Sequence, residues 1–123
     1  MPTIGTVPAK AGLSRKRLAD HTVIAVTGEL DIASTPYLRE RLQTALRDTG
    51  AHVVIDLSGV TFCDASGLAL LVDARRRVEA AGTTLVLSAP RPQLRRLLRL
   101  TGLARALTIR PAAAQIARRP AVA

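Results

Sequence analysis

Three short runs of β-branched and aliphatic residues constrain the fold of this chain more than any other feature. They are residues 23–27, 53–57 and 83–87, and each is short enough for a strand that is buried on both faces. Between them lie segments in which apolar residues recur at helical spacing. This alternation, with short connections, predicts right-handed crossovers and an α/β domain with at least three parallel strands.

Start and stop signals delimit three helices. They are predicted to begin near Ser34, Ser66 and Pro92 and to end near Gly50, Gly82 and Gly102. For the first helix, Ser34 or Thr35 can serve as the cap and Pro36 suits the first turn. Each glycine can take the left-handed conformation that ends a helix. The helices must therefore cover at least one face of the sheet.

The remaining segments complete the predicted domain. Residues 13–18 are expected to form an edge strand whose charges protect the exposed edge, and 19–21 a turn, so that the domain begins with a β-hairpin. Residues 58–62 are expected to be a connection, 107–109 a short last strand and 111–117 a final helical turn or two. One domain is predicted over residues 13–118, with flexible tails at 1–12 and 119–123.

Composition excludes several classes of protein. A length of 123 residues makes a second sizeable domain improbable, and no apolar stretch approaches the roughly 18 residues of a membrane span. The first ten residues lack the pattern of a signal peptide, which favours the cytoplasm. A lone cysteine, Cys63, excludes an internal disulfide, and His21 and His52 have no metal-ligand spacing. We therefore expect no metal and no cofactor.

The net charge of +9, from 18 Lys and Arg against 9 Asp and Glu, raises the question of a nucleic-acid partner. The candidate contacts are Arg75, Arg76, Arg77, Arg95, Arg96 and Arg99. Tyr37 and Phe62 are the only aromatic residues, too few for a surface that stacks bases. An Arg and Ala bias of the genome and ordinary solvated helix faces explain the same charge. No direct nucleic-acid partner is therefore expected.

Enzyme signatures are missing from the sequence. It contains neither of the glycine-rich nucleotide-binding motifs nor a nucleophile elbow around a serine. Ser66, His52 and Asp56 supply the residue types of a catalytic triad, but no spacing brings His52 to Ser66. Cys63 is better explained as a buried packing residue than as a nucleophile. The chain is therefore not expected to be an enzyme.

Ser66 follows a strand and a loop and opens an apolar-periodic helix, which leaves two interpretations. Its hydroxyl can cap the helix, or it can be a phosphorylation site at the positive end of the helix dipole, where a phosphate would meet free N–H groups. Asp64 can cap the same helix or influence the serine. Asp31 is either a turn residue or, with Asp64, part of a site at the carboxyl ends of the strands.

Four motifs resemble those of the bacterial STAS-domain proteins that act as anti-sigma factor antagonists. They are Gly28-Glu29-Leu30-Asp31, Val53-Val54-Ile55-Asp56-Leu57, Phe62-Cys63-Asp64-Ala65-Ser66-Gly67-Leu68, and the leucine, threonine and glycine pattern of residues 97–103. The resemblance covers roughly residues 13–118. The order and spacing of the first and third motifs carry the specificity, because either alone is a weak signal.

The resemblance implies a non-enzymatic switch on a mixed sheet with helices packed on one side. It implies a partner that is both an anti-sigma factor and a serine kinase, whose binding releases a sigma factor. The kinase then phosphorylates Ser66 and ends the interaction, and a serine phosphatase reverses it. Asp31, Asp64, Ala65, Ser66, Gly67 and Leu68 are implied to form the partner-binding region. Ala65 stands where many relatives have a second hydroxyl, so Ser66 is the sole candidate acceptor there.

A second hypothesis belongs to another functional class. The chain is then an unphosphorylated STAS subunit of a stress-signalling or lipid-transport assembly. The motif around Ser66 permits phosphorylation without proving it. Neighbouring genes distinguish the two hypotheses, since a gene for a histidine-kinase-like ATPase favours the first and transporter genes favour the second.

Overall fold

The computed structural model describes residues 11–50 and 52–111. These residues form five strands, three helices and one short 3₁₀ turn. In chain order they are β1 (Ala11–Arg17), β2 (Thr22–Leu30), α1 (Thr35–Ala45), β3 (His52–Cys63), α2 (Ala65–Ala80), β4 (Thr84–Ser88), α3 (Pro92–Leu100), the 3₁₀ turn (Leu103–Arg105) and β5 (Thr108–Arg110).

The strands lie side by side in the order in which they occur in the sequence. β1 runs antiparallel to β2, whereas β2, β3, β4 and β5 are all parallel. Because each parallel connection advances by one strand, right-handed crossovers place the helices on the same face of the sheet. The predicted mixed, mostly parallel sheet with an N-terminal hairpin is therefore confirmed.

The core lies between this face of the sheet and the helices. Alternate strand residues point into it, and the leucines of the three helices meet them there. Its fully buried members include Ile24, Leu30, Leu38, Ile55, Leu57, Leu71, Leu87, Leu94 and Leu98. The three apolar runs of the sequence therefore supply the sheet, as expected.

The connection predicted at 58–62 is instead the second half of β3. Two register shifts let the strand continue beside β2. β3 has one extra residue between Asp56 and Gly59, opposite the Ala25–Thr27 step, and another between Val60 and Phe62. A Cβ atom at Gly59 would lie 2.7 Å from Cγ2 of Thr27, so the close approach of the two strands requires glycine. The glycine that suggested a turn marks a bulge in a longer strand.

Helix α1 ends earlier than the predicted stop at Gly50. Its last residue is Ala45, with Leu46 at the C-cap. The segment that follows is bound to the start of the sheet: the Asp48 carbonyl accepts hydrogen bonds from Arg15 and Arg17, and the Thr49 carbonyl accepts one from Thr22 at 2.8 Å. These contacts hold residues 46–50 as a loop.

The other boundaries agree within one or two residues, except that β2 continues to Leu30, three residues beyond the predicted run of 23–27. Helix α2 ends before Gly82, whose φ of +81° is the left-handed conformation expected there. β1 begins at Ala11, which is buried, so residues 11–12 belong to the sheet and not to a tail. The rest of the predicted tails, residues 1–10 and 119–123, lies outside the described residues. The final helical turn predicted at 111–117 lies, apart from Pro111, outside the described residues. Within the described ranges, no helix has the length and apolar character needed to cross a membrane.

Candidate functional site

The predicted site residues come together where β2 and β3 end, at the carboxyl ends of the parallel strands; we call this the carboxyl edge of the sheet. Leu30 at the end of β2 is paired with Cys63 at the end of β3. The Asp64 N–H then donates a hydrogen bond to the Leu30 carbonyl at 3.1 Å. Asp31 and the segment from Asp64 to Leu68 therefore start from adjacent strand ends, where α/β proteins commonly bind their ligands.

Asp64, and not Ser66, caps helix α2. Its backbone is extended, and its Oδ1 accepts hydrogen bonds from the N–H groups of Ser66 at 2.8 Å and Gly67 at 3.3 Å. The helix begins at Ala65, one residue before Ser66. The interpretation of Ser66 as the N-cap is therefore wrong, because Asp64 already provides the acceptor that the first turn needs.

This cap determines what surrounds the Ser66 hydroxyl. Ser66 is half-buried and Ala65 is exposed, while the cap uses only the Ser66 backbone. The expectation that a phosphate on Ser66 would meet free N–H groups must also be corrected, since the N–H groups of Ser66 and Gly67 are bound to Asp64. A phosphate there would instead add its charge next to a carboxylate.

Gly67 and Leu68 face the core. A Cβ atom at Gly67 would lie 2.6 Å from Sγ of Cys63 and 2.7 Å from Cβ of Leu30, distances at which atoms overlap. Leu68 is buried and belongs to the core cluster. These two residues hold the start of α2 tightly against the strand ends, and between Asp64 and Leu68 it is Ala65 that is most exposed.

Asp31 organises the neighbouring turn in the same way. Its Oδ1 accepts hydrogen bonds from the N–H groups of Ala33 at 3.0 Å and Ser34 at 2.9 Å. The Ser34 hydroxyl donates to the Glu29 carbonyl at 2.6 Å and accepts from the Asp31 N–H at 3.1 Å. The turn interpretation of Asp31 is therefore confirmed, and the pairing of the strands also puts that turn beside Asp64.

Gln93 is a residue of this site that sequence reasoning missed. β3 pairs with β4 only over His52–Asp56, so the later half of β3 lacks a strand on that side. The Gln93 side chain replaces it: Oε1 accepts from the Cys63 N–H at 3.2 Å and Nε2 donates to the Cys63 carbonyl at 3.0 Å. Nothing in the sequence signals a contact that spans 30 residues.

Two exposed apolar side chains flank the site and were also missed. Ile32, directly after Asp31, is 78% exposed, and Phe62, directly before Cys63, is 43% exposed. Both lie within two residues of Leu30 or Cys63, the residues that pair at the ends of β2 and β3. Apolar side chains at such positions provide contact area for a protein partner.

Cys63 and His52 do not supply catalytic chemistry at this edge. Burial, reinforced by the charge of Asp64, raises the pKa of the Cys63 thiol to about 12, so the nucleophilic thiolate is not formed at neutral pH. Cys63 is a buried, free cysteine, as expected. His52 begins β3, where its Nδ1 lies 2.8 Å from Oγ1 of Thr84, whereas Ser66 follows the far end of that strand.

Comparison with known proteins agrees with this architecture. Residues 13–116 match the family model of the STAS domain. The chain belongs to the STAS domain family. Two relatives are named anti-sigma-B factor antagonist: that of Listeria monocytogenes is 32% identical over 78% of this chain and 84% of its own length, and that of Bacillus subtilis is 36% identical over 65% and 72%.

Solved STAS structures share the fold. The crystal structure of an anti-sigma factor antagonist from Mycobacterium paratuberculosis superposes with a TM-score of 0.79 at 27% identity. The match covers 89% of this chain and 92% of that one. The mixed sheet and the two turns at its edge are therefore parts of a STAS domain.

Proposed function

We propose that this STAS protein is an anti-sigma factor antagonist that is switched by phosphorylation of Ser66. It acts in the cytoplasm, without catalysis of its own, by binding an anti-sigma factor that is also a serine kinase. Binding releases the sigma factor, phosphorylation of Ser66 ends the interaction, and a serine phosphatase restores it. The names of the relatives support the anti-sigma factor as partner.

The observation that carries the proposal is the freedom of the Ser66 hydroxyl from any part in the helix cap. Asp64 binds the backbone N–H groups of the first turn, so the hydroxyl can be modified without removing a structural hydrogen bond. Ala65, the accessible neighbour, presents only a methyl group to an approaching kinase. Ser66 is therefore the acceptor that the geometry favours.

Charge explains how the phosphate ends the interaction. A phosphoserine adds about −1.5 to −2 charges, and here they arise at a strand edge that already holds the carboxylates of Asp31 and Asp64. The Asp64 carboxylate occupies the N–H groups of Ser66 and Gly67 that would otherwise neutralise part of this charge. A partner surface that fits a neutral hydroxyl between two carboxylates is therefore repelled by the phosphorylated form.

Ile32 and Phe62 extend the proposed contact region beyond the residues of the motif. They are exposed neighbours in the chain of Asp31 and Cys63, at the strand ends from which Asp31, Asp64 and Ala65 also start. Gly67 and Leu68 contribute by fixing the position of α2, because both are buried.

The test uses a candidate anti-sigma kinase with ATP. Intact-protein mass spectrometry is expected to show one added phosphate on the wild type and on Ser58→Ala, a matched variant of an exposed serine in β3, and none on Ser66→Ala. Ser66→Asp is expected to weaken binding by at least tenfold, about 1.4 kcal/mol. Undiminished labelling of Ser66→Ala, or unchanged binding by Ser66→Asp, contradicts the proposal.

A further inference from the structure

The last third of the chain holds almost all of its net charge. No Asp or Glu follows Glu79, whereas eight arginines do. Six of these arginines lie among the described residues, and all six are exposed: Arg91, Arg95, Arg96, Arg99, Arg105 and Arg110. This charge plays no part in the proposed switch at Ser66.

The arginines of α3 differ in their ionic partners from two of the three arginines of α2, Arg76 being the exception. On α2, Arg75 pairs with Glu79 at 3.0 Å and Arg77 with Asp73 at 3.2 Å. Among the ion pairs within residues 11–50 and 52–111, none involves Arg95, Arg96 or Arg99. The exposed face of α3 is therefore a cluster of cations that the described part of the chain does not neutralise.

An apolar groove lies within this cluster. It has a volume of about 350 Å³ and is lined by Pro92, Gln93, Arg96, Leu97 and Leu100; we call it the α3 groove. Leu100 is 74% exposed, although the neighbouring Leu94 and Leu98 are buried in the core. A leucine left in water beside Arg96, with Arg99 next to it in the chain, is a combination that favours burial by a partner of opposite charge.

The α3 groove is held in a fixed position relative to the rest of the fold. Gln93, which lines it, is the residue that binds both backbone groups of Cys63. Arg91, at the start of the same helix, donates a hydrogen bond to the Ser58 carbonyl at 2.7 Å. The groove is therefore a preformed surface on the β3 side of the domain, which lowers the entropic cost of binding.

We propose that the α3 groove binds an acidic amphipathic segment of a protein. Apolar side chains of that segment would cover Leu97 and Leu100, and its carboxylates would pair with Arg96 and Arg99 at the rim. The exposed Leu100 and the half-buried Leu97 do not match a phosphate backbone, whose contacts are hydrogen bonds and charges. A protein segment satisfies both the apolar and the cationic parts, so this inference does not depend on phosphorylation of Ser66.

The probe is a synthetic helical peptide with glutamates on one face and leucines on the other. Its binding to the full chain, at physiological salt, is followed by fluorescence anisotropy and by amide chemical shifts. We expect shift changes on α3. Arg96→Glu with Arg99→Glu is expected to weaken binding at least about tenfold, and Leu100→Ser several-fold.

Matched variants separate a site from bulk charge. The double variant Arg47→Glu with Arg76→Glu changes the net charge by the same amount as the α3 double variant, but at exposed arginines in the loop after α1 and on α2. Ile32→Ser is the control for Leu100→Ser, because it removes an exposed apolar side chain elsewhere. Both are expected to leave peptide binding nearly unchanged. Equal losses in the two double variants overturn the proposal. So does tighter binding of duplex DNA or phosphatidylglycerol vesicles through the α3 arginines with no effect of Leu100→Ser.

Discussion

The two turns at the carboxyl edge of the sheet use the same device for different ends. Each has an aspartate directly after a strand, and each aspartate binds two backbone N–H groups through Oδ1. Each also carries a serine, three residues after Asp31 in one turn and two residues after Asp64 in the other. Ser34 is buried and its hydroxyl is bound to the strand end, whereas the hydroxyl of Ser66 is not used by its cap.

The comparison teaches that the spacing between aspartate and serine decides the role of the hydroxyl. In the first turn the serine lies before the helix, so its side chain reaches back to the Glu29 carbonyl. In the second the serine is already the second helical residue, and its backbone N–H, not its hydroxyl, is bound by the cap. One hydroxyl is thereby structural, and the other is the one we propose to be phosphorylated.

The largest expected effect is that of Gly67→Ala, which attacks the close packing that the second turn needs. The added methyl group would overlap Cys63 and Leu30, the latter at 2.7 Å, so either the helix or the strand end must move. We expect a loss of about 1–3 kcal/mol in the free energy of unfolding, measured in urea. Ala65→Gly, at the exposed first residue of α2, is the control and should lower the free energy of unfolding by less than about 1 kcal/mol.

The next effect compares the two serines directly. Ser34→Ala removes the hydroxyl that donates to the Glu29 carbonyl and accepts from the Asp31 N–H, which should cost about 1 kcal/mol. Ser66→Ala removes no structural hydrogen bond and should change stability by less than about 0.5 kcal/mol. Chemical denaturation of both variants checks this, and equal losses would show that Ser66 also has a structural role.

At Asp64, the hydrogen bonds of the cap can be separated from the negative charge of the carboxylate. Asp64→Ala removes the acceptor for two N–H groups and should cost about 1 kcal/mol, whereas Asp64→Asn keeps an acceptor oxygen and should cost less. Thermal unfolding gives the stability of each variant. If Asn destabilises as much as Ala, the negative charge rather than the hydrogen bond holds the turn.

The smallest effect concerns Gln93, which supports the second turn alone. Gln93→Ala removes the two hydrogen bonds to Cys63, which should lower the free energy of opening the strand end by about 1 kcal/mol. The end then opens more often. Cys63 is the only cysteine of the chain, and burial raises its pKa to about 12, so its reaction with a thiol reagent at pH 8 reports this opening. We expect labelling roughly fivefold faster in Gln93→Ala.

The control for this measurement is Gln93→Glu, which keeps the acceptor for the Cys63 N–H and loses the donor. It should label at an intermediate rate. Labelling of Gln93→Ala at the wild-type rate would mean that the amide does not hold the strand end.

Elements with local signals were predictable from the sequence, and long-range contacts were not. The three apolar runs located β2, β3 and β4, although β2 and β3 extend beyond them. Pro36 and Gly82 marked a helix start and a helix end correctly. Ser58 and Gly59 misled because a bulge and a turn use the same residue types. The end of α1 was misplaced because Arg15, Arg17 and Thr22 hold the following loop from another part of the chain.

The site shows the same division. Its position at the strand ends followed from the order of strands and helices, and Asp31 and Asp64 were expected there. Which residue caps α2 depended on where the helix begins, an uncertainty of one or two residues that decides between Asp64 and Ser66. Gln93 and the exposure of Ile32 and Phe62 depend on tertiary packing, which no local pattern encodes.

The central claim is that Ser66, and not Ser34, is the hydroxyl available for modification. Tandem mass spectrometry of the protein recovered from its own cells, resting and stressed, tests it most directly. The account predicts phosphate on Ser66 in one of these states and none on Ser34 in either. Phosphate on another residue, with Ser66 unmodified in both states, would contradict it.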